Sequence, residues 1–201
     1  MRRLVVLAMC LAPATAGAEV FKLYGEANLG GMYGTGTAGT PKDDAFFADA
    51  RGGAYGLMLG AKLLFFDIHA SHHQFISPDI RTWTQGTVGL SFGMDTGSEW
   101  DHKQGTGGYL EFGFGVGFGV GTGAQVDPPL DNGQLTDKGI LLEGRFGFGK
   151  HLSSVFDLGL TLPISYGFFY KTGAGANEAD NQYQSVQIEA LIVLRANLRL
   201  I

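Results

Sequence analysis

Ile68-His69-Ala70-Ser71-His72-His73 is the segment of this chain richest in reactive side chains. On an extended backbone His69, Ser71 and His73 share one face and His72 takes the other. A histidine two residues from a serine has the makings of a base–nucleophile pair, and Glu111 or Glu143 could supply its acidic third member. His69 and His73 could each offer an imidazole nitrogen to a metal, but two ligands without a third do not make a site. A second group is acidic: Asp43, Asp44 and Asp49, then Asp127, Asp131 and Asp137, then Glu178 and Asp180. None of these has the spacing of an EF-hand. No metal or cofactor is therefore expected. The third group is Lys22, Glu26, Lys62, Glu111, Glu143, Arg145, Asp157, Glu189, Arg195 and Arg199. Five acids match five bases, and each sits in a segment of alternating polarity.

Those segments decide what the charges can do. Residues 109–121 alternate most sharply: Leu110, Phe112, Phe114, Val116, Phe118 and Val120 alternate with Tyr109, Glu111 and then glycines 113, 115, 117, 119 and 121. Period two puts the large set on one face of a strand. A helix is excluded, because each glycine would cost it about 1 kcal/mol. A soluble sheet would turn a polar face to water. Here the second face is small, which fits the crowded interior of a narrow barrel whose outside meets lipid.

Seven more segments alternate: 20–33, 53–66, 67–76, 80–94, 139–149, 155–170 and 185–201. Their large residues fall on one face, and the ten charges above fall on the other. Each is long enough for a tilted strand to cross a bilayer, which takes about 9–11 residues. Long polar stretches (34–52, 122–138 and 171–184) alternate with short turns near Phe66-Asp67 and at 150–154. That rhythm predicts an all-β, eight-stranded antiparallel up-and-down transmembrane β-barrel, its long loops outside and its short turns in the periplasm. Connections 77–79 and 95–106 fit the rhythm less well. Tyr33, Tyr55, Trp83, Tyr166 and Tyr170 read as a girdle at the membrane interface.

Met1-Arg2-Arg3, the apolar run Leu4–Leu11 and Ala16-Gly17-Ala18 have the three parts of a secretory signal peptide, predicting cleavage after residue 18 and one domain over 19–201. The run is too short to span a bilayer. Cys10, the only cysteine, would leave with it, so no disulfide is expected. Cleavage leaves 12 basic against 19 acidic side chains, a charge of −7, which argues against nucleic acid as a partner. Glycine at 33 of 201 residues is far above the usual 7% or so, yet aromatic residues are plentiful and disorder is not expected.

Signal peptide, eight alternating strands and long outer loops together resemble the small eight-stranded outer-membrane proteins of the OmpA/OmpX type. The resemblance lies in the pattern over nearly the whole mature chain. It implies location in the outer membrane of a Gram-negative bacterium and contact with outer-membrane lipids and lipopolysaccharide. It also implies assembly by the outer-membrane machinery, and loops free to meet a surface ligand. The acidic loop residues would then bind divalent cations that bridge to lipopolysaccharide, or stay solvated. His69 and Ser71 alone match the His-x-Ser of outer-membrane lipid A deacylases. The Asn that follows that serine in the deacylases is His72 here, and their motif lies nearer the C-terminus.

Three functions follow as expectations. The first is a non-enzymatic barrel with a structural or surface-interaction role, its lumen plugged by paired charges. The second is a passive pore for ions or small solutes, with the inward glycines leaving room unless Arg145 fills it. The third is a lipid A hydrolase using His69 and Ser71. The polar strand face near the periplasmic rim accounts for the histidines without catalysis, and no enzyme activity is the favoured expectation.

Overall fold

The computed structural model describes residues 21–38, 51–76, 81–96, 104–122, 136–172 and 182–199. Its strands are β1 (Phe21–Ala38), β2 (Arg51–Leu63), β3 (Phe66–Ile76) and β4 (Arg81–Thr96), followed by β5 (Gly108–Thr122), β6 (Thr136–His151), β7 (Phe156–Thr172) and β8 (Gln182–Arg199). Each pairs antiparallel with the next, and β1 pairs with β8, so the sheet closes into an eight-stranded barrel with no free edge. The expected fold class and strand order are those observed. The signal peptide lies outside the described residues, as do Asp43, Asp44, Asp49, Asp127, Asp131, Glu178 and Asp180.

Boundaries moved where polar residues continue a strand. β1 runs on to Ala38, β4 to Thr96 and β7 to Thr172, while β2, β6 and β8 begin earlier, at Arg51, Thr136 and Gln182. The outer connections therefore narrow to 39–50, 123–135 and 173–181. Asp137, expected in a loop, is instead an inward residue of β6 and is buried. Once the strand lengthens, parity with Glu143 puts its side chain inside.

The inner connections are tight. Leu63 pairs with Phe66 across the two-residue turn Leu64-Phe65, two positions earlier than expected, and Leu64 takes the left-handed conformation (φ 56°). Between β6 and β7, Ser153 Oγ accepts from the backbone N–H of Val155 and of Phe156. Gly105 (φ 69°) lies against this turn, where a Cβ would stand 2.5 Å from the Leu152 carbonyl oxygen, so only glycine fits. Register along β7–β8 is continuous except at Leu162 and Pro163, which have no β8 partner. Proline has no N–H to give a ladder.

Alternation sorts the side chains. Leu57, Leu59, Ile68, Ile140 and Leu198 are each more than half exposed, and comparable apolar residues stand on every strand. A water-soluble monomer rarely shows a contiguous apolar patch beyond a few hundred Å², whereas a lipid-facing surface must. No helix among the described residues is long and apolar enough to cross a membrane. Tyr33, Tyr55 and Tyr170 face outward near the outer ends of their strands, and Tyr166 is half-buried with its hydroxyl on Gln184. Trp83 corrects the expectation of a girdle residue. It is 0% exposed and points into the barrel, because Trp83, Gln85 and Thr87 share one parity and the last two face inward.

Candidate functional site

The lumen has two layers. Toward the outer ends of the strands, Met32, Ala54, Phe75, Trp83, Leu141, Phe169 and Tyr183 form an apolar cluster. The Trp83 and Phe169 rings meet edge to face at 5.6 Å, and Tyr183 lies 5.4 Å beyond. Glycines on β5 make room for this layer: a Cβ on Gly119 would stand 2.0 Å from the Trp83 ring. The space beside Gly119 is thus taken by Trp83 from β4, while Thr87 lies against Gly115 and Gly117. Arg145, expected beside the glycines, pairs with Gly113 in register, lines a small cavity with Gly113 and Gly115, and reaches on across the lumen. Its Nη2 reaches Glu26 Oε1 on β1 at 2.6 Å, and its Nη1 lies 3.2 Å from Met58 Sδ.

Toward the inner ends the filling is ionic. Glu26 Oε1 also accepts from Arg195 Nε at 2.6 Å, and Arg195 Nη1 donates to Glu111 Oε2 at 2.6 Å. The Arg195 guanidinium sits over the rings of Tyr24 and Tyr109, 5.6 and 5.2 Å from their centroids. Aromatic faces hold a cation where water is excluded, so these two rings flank a guanidinium whose Nη2 makes no hydrogen bond to another described residue. Glu111 Oε1 accepts from Ser91 at 2.8 Å and lies 3.7 Å from Lys62 Nζ, which itself donates to Ser91. Nearby, Asp157 takes His151 at 2.7 Å and Asn197 at 2.6 Å, and Asp95 lies between His151 and Arg199 at 3.7 and 3.9 Å. At the level of the apolar layer, Glu189 meets His73 at 3.1 Å, the two standing beside Met32 and Trp83 in register. Lys22 stands at the inner end of the same wall, opposite Lys62 and Arg199 in register, and has its own partners.

A chain of contacts joins the layers. Trp83 Nε1 donates to Gln85 at 2.7 Å, and Gln85 donates to Glu143. Glu143 lies 3.2 Å from His69 Nε2, while His69 Nδ1 lies 2.7 Å from Asp67, which accepts from Tyr24. An imidazole bonds two carboxylates at once only when both its nitrogens carry protons.

This bears on the base–nucleophile pair. His69 and Ser71 both face the lumen, but His69 has both nitrogens engaged by carboxylates and leaves none to take a proton. Ser71 Oγ is buried and makes no hydrogen bond to another described residue. The histidine cluster does not sit at the rim: His69 and His73 belong to the packed lumen, and His72 lies outside, its Nδ1 2.7 Å from Thr84 Oγ1. No group of three or more candidate metal ligands exists among the described residues.

Closed strands, an apolar outside and a filled lumen define the architecture. It is the fold of the small outer-membrane barrels. The crystal structure of Neisserial surface protein A is similar over 89% of this chain and 97% of that one, with 9% identity and a TM-score of 0.54. The N-terminal β-barrel domain of Pseudomonas aeruginosa OprF matches over 88% and 97%, with 13% identity and a TM-score of 0.46. Outer membrane protein OprG of the same organism matches over 90% and 96%, with 13% identity and a TM-score of 0.44. At such identities the likeness concerns the fold. No protein-family model matches the chain, and no characterised protein matches its sequence.

Alternation places the polar lumen residues on the inward face and leaves the large apolar ones unmarked. Asp67, His69 and His73 share the inward parity of β3, and Tyr24 lies between Lys22 and Glu26 on β1. Leu141, Phe169, Leu191 and Val193 are inward by the same count. Being large and apolar, they carry no mark that separates them from lipid-facing neighbours.

Proposed function

We propose that this chain is an integral outer-membrane barrel that does not conduct, and that it acts through the connections at its outer end as a structural or surface-interaction protein. The observation that carries this reading is the doubly filled lumen: an aromatic layer above a network of paired ions. An eight-stranded barrel is only wide enough for side chains, and here they meet across it, as Arg145 meets Glu26 and Trp83 meets Phe169. The partners in this reading are outer-membrane lipids, lipopolysaccharide, the assembly machinery that inserts the barrel, and a surface ligand for the loops. The ten charges named from the sequence serve the fold and not a reaction.

Planar-bilayer recordings test the plug. Purified, refolded protein is expected to give no stable conductance steps above the bare membrane. Reproducible unitary openings would overturn the reading in favour of a pore.

The hydrolase reading has its own test. Ser71→Ala is expected to shift stability by less than about 0.5 kcal/mol, in the range of a substitution that breaks no bond. Lipid A from cells expressing either form should have the same mass. Loss of an acyl chain only with the native serine would make the protein an enzyme.

A further inference from the structure

The outer surface is not uniformly bulky. Ala61 on β2, Ala70 on β3 and Gly86 on β4 are all small and outward-facing, and Ala70 pairs directly with Gly86. A Cβ built on Gly86 would meet nothing within 4 Å. Between Leu59 and Phe118 on either side, and above Ile68 and Val88, this leaves a shallow apolar trough on the outer surface.

One step further toward the outer ends, on the same face, stands the pair His72–Thr84, its atoms 2.7 Å apart and both residues exposed. This pair always presents one donor. If His72 Nδ1–H donates to Thr84, the hydroxyl hydrogen is left over. If Thr84 donates to Nδ1, the Nε2–H is left over. A lone donor at the edge of an apolar belt is costly unless an acceptor meets it. An apolar trough with a donor at one end matches an acyl chain whose ester carbonyl or phosphate oxygen lies at its head.

We propose that the trough seats one acyl chain of a lipid A molecule, with His72–Thr84 donating to its ester carbonyl or phosphate oxygen. The proposal rests on the membrane placement argued above. Hydrocarbon is the only filler available in the lipid belt. His72–Thr84 lies toward the end that bears the long connections, which selects the outer leaflet. Both edges of β3 and of β4 are already paired, so no partner strand can add there. A two-fold contact between copies would set trough against trough and leave a void.

The test uses full-length protein extracted in mild detergent, with hexa-acylated lipid A titrated in and adducts counted by native mass spectrometry. Phosphatidylethanolamine runs as the comparison lipid. The native chain is expected to carry one lipid A adduct. Gly86→Leu, which adds its side chain in open space, should lower occupancy at least tenfold while the barrel still folds. His72→Phe with Thr84→Val should abolish the preference for lipid A over phosphatidylethanolamine. Equal occupancy in Gly86→Leu, no adduct on the native chain, no preference between the lipids, or an adduct with the mass of a second chain would each overturn the proposal. Circular dichroism and incorporation into lipid vesicles are read in parallel. A chain that inserts as a barrel but binds no lipid A fails this proposal alone, whereas a chain that does not insert fails the membrane reading itself.

Discussion

Glu26→Ala is expected to destabilise the folded barrel by about 3–5 kcal/mol, the usual cost of removing one partner from a buried ion pair. Glu26 is only 4% exposed, and one of its oxygens serves two guanidinium groups. Arg195 would keep Glu111 and its two aromatic faces. Arg145 would lose its hydrogen bond to a carboxylate and keep the Met58 sulfur, a weak acceptor, with only the longer-range field of Glu111, Glu143 and Asp67. The penalty should therefore fall mainly on Arg145. Adding Arg145→Met removes the stranded charge, and the double variant should recover most of the loss. Urea titration in lipid vesicles, followed by the mobility of folded and unfolded bands, measures both. A single variant within about 0.5 kcal/mol of the native chain would show that the network is not structural. Equal losses in single and double variants would show that the guanidinium is not what suffers.

The sequence reading reached the outside of the molecule further than its interior. Along β5 and β7 the outward residues are large and the inward ones, Phe169 apart, mostly small or polar, so contrast between the faces places both sets at once. Lipid demands apolarity everywhere on the outside, and it therefore leaves a strong signal. The lumen asks only that its contents fit and that charges be paired, which many compositions satisfy. That is why the ten inward charges were legible as a set while their partners were not: Arg145 meets Glu26 across the barrel, 119 positions away in the chain. It is also why Trp83 was misplaced. An aromatic residue near a strand end suggests an interface by type, and only counting from Gln85 and Thr87 shows that it turns inward. Residue type and strand parity disagreed there, and parity prevailed because the β-ladder fixes it.

That misplaced residue carries the other large effect. Trp83→Ala should cost about 3–5 kcal/mol, as expected when a fully buried aromatic ring is removed and its cavity stays open. The indole also donates to Gln85, which holds Glu143, so part of the loss would pass into the ionic layer. Gly119 offers a sharper test. In the native barrel a Cβ there would collide with the indole, so Gly119→Val alone should be destabilising as well. With Trp83 already alanine the obstacle is gone, and valine would fill part of the cavity and favour the strand. The two substitutions together should then cost clearly less than the sum of their separate effects, a coupling of at least about 1 kcal/mol for residues in direct contact. Conductance should stay absent in all three variants, because Glu26, Arg145, Arg195 and Glu111 still close the inner half. Additive costs would mean that Trp83 and Gly119 do not share that space. Openings in Trp83→Ala would mean that the aromatic layer alone seals the barrel, with the ions beneath it serving only stability.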